Sequence, residues 1–363
     1  MYESPKWTHS IINKIMYNPA GLLEPPPVIP GLRSSPWAGS WKIPKLTSPK
    51  EKKGILHSQF TSPAILMIHI LSTPFTSSRH RRYLIRELNL LESIPNEYRH
   101  LIELKFVLGI SNTKEGENGW LESREEEIEI SKENKMFGDL IRLKLLENGE
   151  NMNNGKSWEW LRYVGREGGR EAWWVIKCDD DTLPLLPNLL PLLLSLDPSK
   201  PTYLGTSLGR WTGYHYYFQG MMYGFSWGVV KTMAVADVPS STRNYNWDED
   251  ARMGEIMLSL PFSPKSNPTS KICSPPAVPD RKWSLPPSSP NLCTGLVSLD
   301  LGPKIGAWKH YLIDDERAAV AWHELKNPDE YIEAYHQAKN GFERRRKEYT
   351  WVAPKVFKSV AEI

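Results

Sequence analysis

Cysteine is scarce in this chain, with three residues in 363: Cys178, Cys273 and Cys293. No pair of them has zinc-finger spacing, so a structural metal knuckle is excluded. Cys178 lies in an apolar run and reads as a small buried residue. Cys273 and Cys293 flank a Pro/Ser-rich segment and could close a loop in an oxidising compartment. Long apolar runs are missing too. The best one, LPLLPNLLPLLLSL at 183–196, is broken by prolines and falls short of the about 18–20 residues needed to span a bilayer. The first residues, MYESPKWTHSIINKIMYNPAG, lack the charged-then-apolar layout of a targeting segment. The one near match to an N-glycosylation acceptor, Asn267-Pro268-Thr269, is blocked by its proline. Charge of one sign is missing as well: 45 Lys and Arg against 42 Asp and Glu leave a net charge of +3. That excludes a global nucleic-acid footprint. The run ERRRKEY at 343–349 reads as a solvated helix face. The run SSRHRRYLIR at 77–86 stays open at this point.

Apolar mass is plentiful. The chain is 40% hydrophobic and carries 15 Trp and 15 Tyr, enough for a sizeable core in one large domain or two small ones. Residues 1–60 are rich in Pro, Ser and Trp without a clear period and read as an irregular N-terminal arm. ILMIHI at 65–70 is a buried strand, and RRYLIRELNLLESI at 81–94 has helical spacing through Leu84, Ile85, Leu88 and Leu91. ELKFVLGI at 103–110 is a second strand. Strand, helix and strand in this order make a βαβ unit and predict an α/β fold with a parallel sheet.

Further along, SREEEIEISKEN reads as a charged helix, FGDLIRLKLLEN is of uncertain type, and KSWEWLRYVGRE at 156–167 reads as a helix. AWWVIKC is a strand, LPNLLPLLLSL a helix with Pro at its start, and TYLGTSLG and YHYYFQGMMYGFS further strands. WDEDARMGEIMLSL at 247–260 places Met253, Ile256, Met257 and Leu260 on one helical face, with Asp248 as N-cap. Residues 261–292 are a Pro/Ser-rich insert, and 293–363 end in a helix over NPDEYIEAYHQAKNGFERRRKEY.

The stretch WWVIKCDDD at 173–181 poses a physical question, because three like charges follow directly on an apolar strand. Ligands of open α/β sheets bind at the carboxyl ends of strands. Crowded carboxylates there suit a hard divalent cation shared with a phosphate. From the residues alone, Asp179, Asp180 and Asp181 are either such a metal–phosphate site or an acidic turn before the next helix. The acidic pair Glu249 and Asp250 likewise either complements a helix dipole or places a general base. His323 is either structural or a distant completer of a metal site.

In their order, these pieces resemble glycosyltransferase family 31, the β-1,3-galactosyltransferase-like family, in its fungal-type members. The resemblance runs from about residue 63 to 340. The first strand ends at Ser72, and Arg82-Tyr83-Leu84-Ile85-Arg86 is similar to the family's R-x-x-I-R helix. Phe106 to Gly109 is similar to its second strand, and Glu133 to Ile141 to its E-x-x-x-[YF]-G-D-[IL]-[IL]. Lys156 matches its lysine ahead of the next helix, and Lys177 to Asp181 its acidic motif. Gly220-Met221-Met222-Tyr223-Gly224-Phe225-Ser226 resembles G-G-G-Y-x-x-S, with two glycines replaced by methionine. Glu249-Asp250-Ala251-Arg252-Met253-Gly254 resembles E-D-V-x-x-G, and Val320-Ala321-Trp322-His323 its late histidine motif.

The resemblance implies a GT-A type glycosyltransferase fold, a Rossmann-like α/β/α sandwich with a mixed central sheet, its nucleotide-sugar-binding catalytic core over residues 61–260. It implies an inverting hexosyltransferase that uses Mn²⁺ or Mg²⁺ and a UDP-sugar donor of galactose or N-acetylglucosamine. The acceptor would be a glycan hydroxyl and the linkage of β-1,3 type. Asp181, Asp179 and His323 would hold the metal. Asp179, Asp180, Ser72, Arg82, Arg86 and Lys156 would face the nucleotide-sugar. Asp250 would be the base, supported by Glu249. For Arg82 and Arg86 a basic surface face is the other reading. The family is usually membrane-anchored in the Golgi, so the Golgi membrane or lumen is the implied location, although the sequence shows no targeting segment. A nucleotide- or sugar-binding relative without turnover is the alternative. A phosphohydrolase fits less well, because ILMIHILSTP offers no nucleophilic Asp at the first strand.

Overall fold

The computed structural model describes residues 64–112, 119–147, 155–166, 170–196, 198, 201–206, 211–212, 215–235, 248–259, 297–301, 304–308 and 319–345. The N-terminal arm, the Pro/Ser-rich insert, Cys273 and Cys293 lie outside them.

Strand β1 (Ala64–Leu71) is buried along its whole length, as an apolar run covered on both faces must be. It pairs in parallel with β2 (Ile102–Ser111) on one side and β4 (Ala172–Asp179) on the other. Its one polar residue, His69, is 2% exposed. Trp160 Nε1 donates to His69 Nδ1 at 2.9 Å, and Nε2 faces Glu103 at 3.4 Å. Burial holds the imidazole below its usual pKa, and this tautomer satisfies both nitrogens.

Beyond β2 lies β3 (Leu140–Glu147), which settles the type of the FGDLIRLKLLEN stretch. Gly138, at φ +67°, caps the helix before it, donating its N–H to Asn134 at 2.8 Å. On the far side of β4 come β9 (Met222–Ser226), β6 (Thr202–Gly205) and β10 (Val297–Asp300). Among the described strands of this seven-stranded sheet, β9 alone runs against the rest. The sheet is therefore mixed, as the resemblance implies, while β1 and β2 pair in parallel as the first βαβ unit predicts.

Alternation along β1 sends Ile68 and Ile70 to one face and Met67 and Leu71 to the other, and each face has its own core. The first core takes residues of α1 (Thr76–Leu88), α3 (Gly119–Phe137), α5 (Leu186–Leu194) and α8 (Pro328–Arg345). Between α1 and β2 lies the single turn α2 (Asn96–Arg99). The second core takes residues of α4 (Lys156–Arg166), α6 (Trp227–Val235) and α7 (Glu249–Ser259). The result is an α/β/α sandwich. Helix α1 begins earlier than its apolar spacing suggests and stops at Asn89, which takes the left-handed conformation at φ 48°. LNLLESI therefore belongs mostly to turns.

The chain steps outward from β1 to β2 to β3, then returns to β4 on the opposite side of β1. That reversal opens the crevice in which doubly wound sheets bind ligands. Ser72 follows β1 and the Asp179–Asp181 turn follows β4, so both stand at this edge. A small sheet brings a third segment there. In it β12 (Ala321–His323) pairs with β11 (Ile305–Ala307) and with β5 (Leu183–Pro184), which comes directly after the acidic turn. No helix among the described residues is long and apolar enough to cross a membrane.

Candidate functional site

The acidic triplet turns as it leaves β4. Thr182 N–H returns to the Asp179 carbonyl at 3.1 Å, and this tight turn points the three side chains toward different partners. Lys177 meets Asp179 at 2.6 Å. Arg81 meets Asp180 at 2.8 Å, and Ser72 Oγ donates to its other oxygen at 3.0 Å. His323 Nδ1 stands 3.2 Å from Asp181. Three like charges tolerate one another because each is matched by a separate donor.

One ligand atom from each of Asp179, Asp181 and His323 lies within 4.8 Å of the other two. Two carboxylates and an imidazole, partly open to solvent, fit Mn²⁺ well and Mg²⁺ less well, since Mg²⁺ prefers oxygen alone. Asp180 is not in this set; its two oxygens accept from Ser72 and Arg81. Thr182 Oγ1 lies 2.8 Å from His323 Nδ1, and Leu325 N–H donates to the Asp181 carbonyl at 3.0 Å. These contacts lock the β12 segment onto the turn.

Asp179 is 29% exposed, yet enclosure pushes its carboxyl up to about 6 from 3.8, against the pull of Lys177. For this group, folding binds the proton more tightly than the unfolded chain does. Its ionisation therefore costs stability as pH rises from about 4 to about 6. A proton also competes with a cation for the same oxygens. Mn²⁺ affinity is expected to fall as pH drops below about 6, where a proton occupies Asp179. Calorimetric titrations at stepped pH check this, and affinity unchanged down to pH 4.5 would remove Asp179 from the ligand set. Asp181 shifts the other way. Burial raises it, but the contact with His323 and the nearby positive charges outweigh that and hold it low.

Helix α7 delivers the second acidic pair. Asp248 stands at its N-cap position, with its carbonyl accepting from Arg252 N–H at 3.1 Å. Asp250 accepts from Ala251 N–H at 2.7 Å and from Gly220 N–H at 3.0 Å. Burial, then the neighbouring Glu249, raise its carboxyl above the usual range. Glu249 accepts from the Tyr223 hydroxyl and faces Lys177 at 3.6 Å. Lys177 also donates to the Gly220 carbonyl. The two acidic groups, some seventy residues apart in sequence, form one site joined through this lysine.

Ser72, expected to face the nucleotide-sugar, donates to Asp180 at the end of β1. Three other expected ligand contacts are replaced by internal ones. Arg82 is fully buried rather than on a basic surface face. Its fork closes on Glu133 at 2.8 and 2.7 Å, and Nη1 reaches Ser72 Oγ at 3.0 Å. Arg86 forks onto Asp139 at 2.8 Å through both nitrogens, and also meets Glu133 at 2.8 Å. Lys156 is 1% exposed, paired with Glu147 at 2.5 Å and donating to the Ser72 carbonyl. These cations are spent on protein carboxylates, because burial without such partners would be prohibitive. They brace the site from behind. The methionines that replace motif glycines also lie in the interior: Met222 is fully buried and Met221 nearly so, both in the first core.

Arg81 and Thr182 are not among the expected site residues, and Lys177 and Tyr223 stand in matched motifs without an assigned role. Lys177 was findable, since a residue two positions before Asp179 in a strand shares its face. Arg81 was visible only as part of a basic run. No family model matches the chain. The described residues define an α/β protein with a metal-competent acidic crevice at the point where its strand order reverses.

Proposed function

We propose that this chain is an inverting, metal-dependent glycosyltransferase with a GT-A type fold. It moves a hexose, galactose or N-acetylglucosamine, from a UDP-sugar to a hydroxyl of a glycan acceptor, with a β-1,3-type linkage and a Golgi location as in the family it resembles. The observation that carries the reading is the convergence of Asp179, Asp181 and His323 within 4.8 Å beside a raised-pKa Asp250. A bound Mn²⁺ or Mg²⁺ would supply positive charge to a leaving diphosphate. Asp179, Asp181 and His323 hold that cation. Asp180, steadied by Ser72 and Arg81, uses its remaining lone pairs to orient the ribose or a water. Asp250 takes the proton of the acceptor hydroxyl, and its raised pKa strengthens it as a base. Glu249 fixes the pocket through Tyr223 and Lys177.

Calorimetry of UDP binding with and without Mn²⁺ tests this on the wild-type chain and on Asp181→Ala. Binding that needs Mn²⁺, weakened at least about a hundredfold in the variant, is the expected result. Folded wild-type protein that binds no UDP would sink the reading.

A further inference from the structure

We propose that Lys177 is the positioning residue that couples the acidic turn to the base-bearing helix, and that its ammonium restrains Asp179 against any cation entering the turn. The inference deepens the transferase reading and rests on it for the roles of Asp179 and Asp250.

Lys177 is 1% exposed in the middle layer of the sandwich, where an apolar side chain would pack at no desolvation cost. Its Nζ instead faces three oxygens from three segments. These are Asp179 Oδ1 at 2.6 Å, the Gly220 carbonyl, and Glu249 Oε2 at 3.6 Å. Asp179 and the Gly220 carbonyl accept from it at hydrogen-bond distance, and Glu249 adds a charge contact. The Tyr223 ring, paired across the strands, lies 5.3 Å from Nζ. Gly220 relays the contact onward. Its carbonyl accepts from Lys177, and its N–H donates to Asp250 at 3.0 Å. A Cβ at Gly220 would stand in ordinary van der Waals contact with Nζ at 3.5 Å and Glu249 Oε2 at 3.4 Å, so both charged groups lie directly against this turn.

Asp179 thus belongs to two sets at once, the metal-competent triad and the Lys177 cluster. The ammonium and a divalent cation compete for its charge. Removing the ammonium frees Asp179 for the cation while it releases Glu249 and Gly220, and with them the placement of Asp250. Metal affinity and turnover should therefore move in opposite directions. A lysine that only filled the core would behave differently, since its loss would loosen the turn and weaken both.

The test uses Mn²⁺ alone, titrated by calorimetry into the wild-type chain, Lys177→Met and Lys177→Arg. Lys177→Met is expected to bind Mn²⁺ about tenfold tighter, a modest response to losing a unit charge at contact distance. Lys177→Arg keeps the charge and should stay within about threefold of wild type. UDP-sugar turnover in Lys177→Met should fall at least about a hundredfold with little change in KM. Unchanged or weaker Mn²⁺ binding by folded Lys177→Met overturns the proposal. Should that variant not fold, Glu249→Gln reads the same coupling. With the Glu249 charge removed, the Lys177 ammonium bears harder on Asp179, and Mn²⁺ binding weakens about threefold; unchanged affinity there also overturns it. If the Mn²⁺ responses appear but the wild-type chain transfers no sugar, the coupling stands and the transferase reading fails.

Discussion

Replacing Asp250 by asparagine is expected to lower turnover by about 10²–10⁴ while UDP and Mn²⁺ binding stay close to wild type. The substitution keeps the shape and removes the basic oxygen. Asp250 accepts from Gly220 N–H and Ala251 N–H on its two different oxygens, so an amide loses one of these bonds. That loss should cost about 1 kcal/mol of stability, too little to unfold the protein. Single-turnover rates beside a UDP titration separate the two effects. Glu249 is the other carboxylate in reach, but Tyr223 and Lys177 already engage its two oxygens. Near-normal turnover in Asp250→Asn would move the base elsewhere, with Glu249→Gln as the next variant to measure.

Arg82→Met should give the largest loss of stability, about 3 kcal/mol or more. Arg82 and Glu133 are both fully buried, and the variant leaves the carboxylate without its bidentate partner. Burial pushes Glu133 up, but Arg82 and then Arg86 pull it down further, so it folds as an anion that needs them. Arg86 remains at 2.8 Å and keeps the penalty at the lower end. The site would also feel the change. Arg82 can only donate, so Ser72 Oγ must accept from it and direct its own proton to Asp180. Urea denaturation reads the stability. The double variant Arg82→Met with Glu133→Leu should regain most of the loss, because removing both charges costs far less than stranding one. A drop below about 1 kcal/mol in Arg82→Met would show that Arg86 alone suffices for Glu133.

Much of the frame could be read along the chain because its causes are local. ILMIHI and AWWVIKC are continuous apolar runs, and a strand covered on both faces needs little else to be recognised. Asp248 as a cap and the placement of Asp179–Asp181 at a strand end both depend on neighbours a few residues away. The pairing of charges is different. Arg82 meets a carboxylate 51 residues on, Arg86 one 53 residues on, and His323 sits beside Thr182 across 141 residues. Nothing in local composition distinguishes an arginine that faces a phosphate from one that holds a buried glutamate. Burial and the contact of α1 with the end of α3, which sets Arg82 against Glu133, make that choice.

By itself, the amino-acid sequence determined the alternation of strands and helices, the two apolar faces of the sheet and the acidic residues at the end of β4, through periodicity and capping acting over a few residues. Only the tertiary structure decided which cation answers which carboxylate. Arg82, Arg86 and Lys156 were turned inward and Lys177 was placed between two acidic groups, because a buried charge is stable only where the folded chain brings its counter-charge within contact distance.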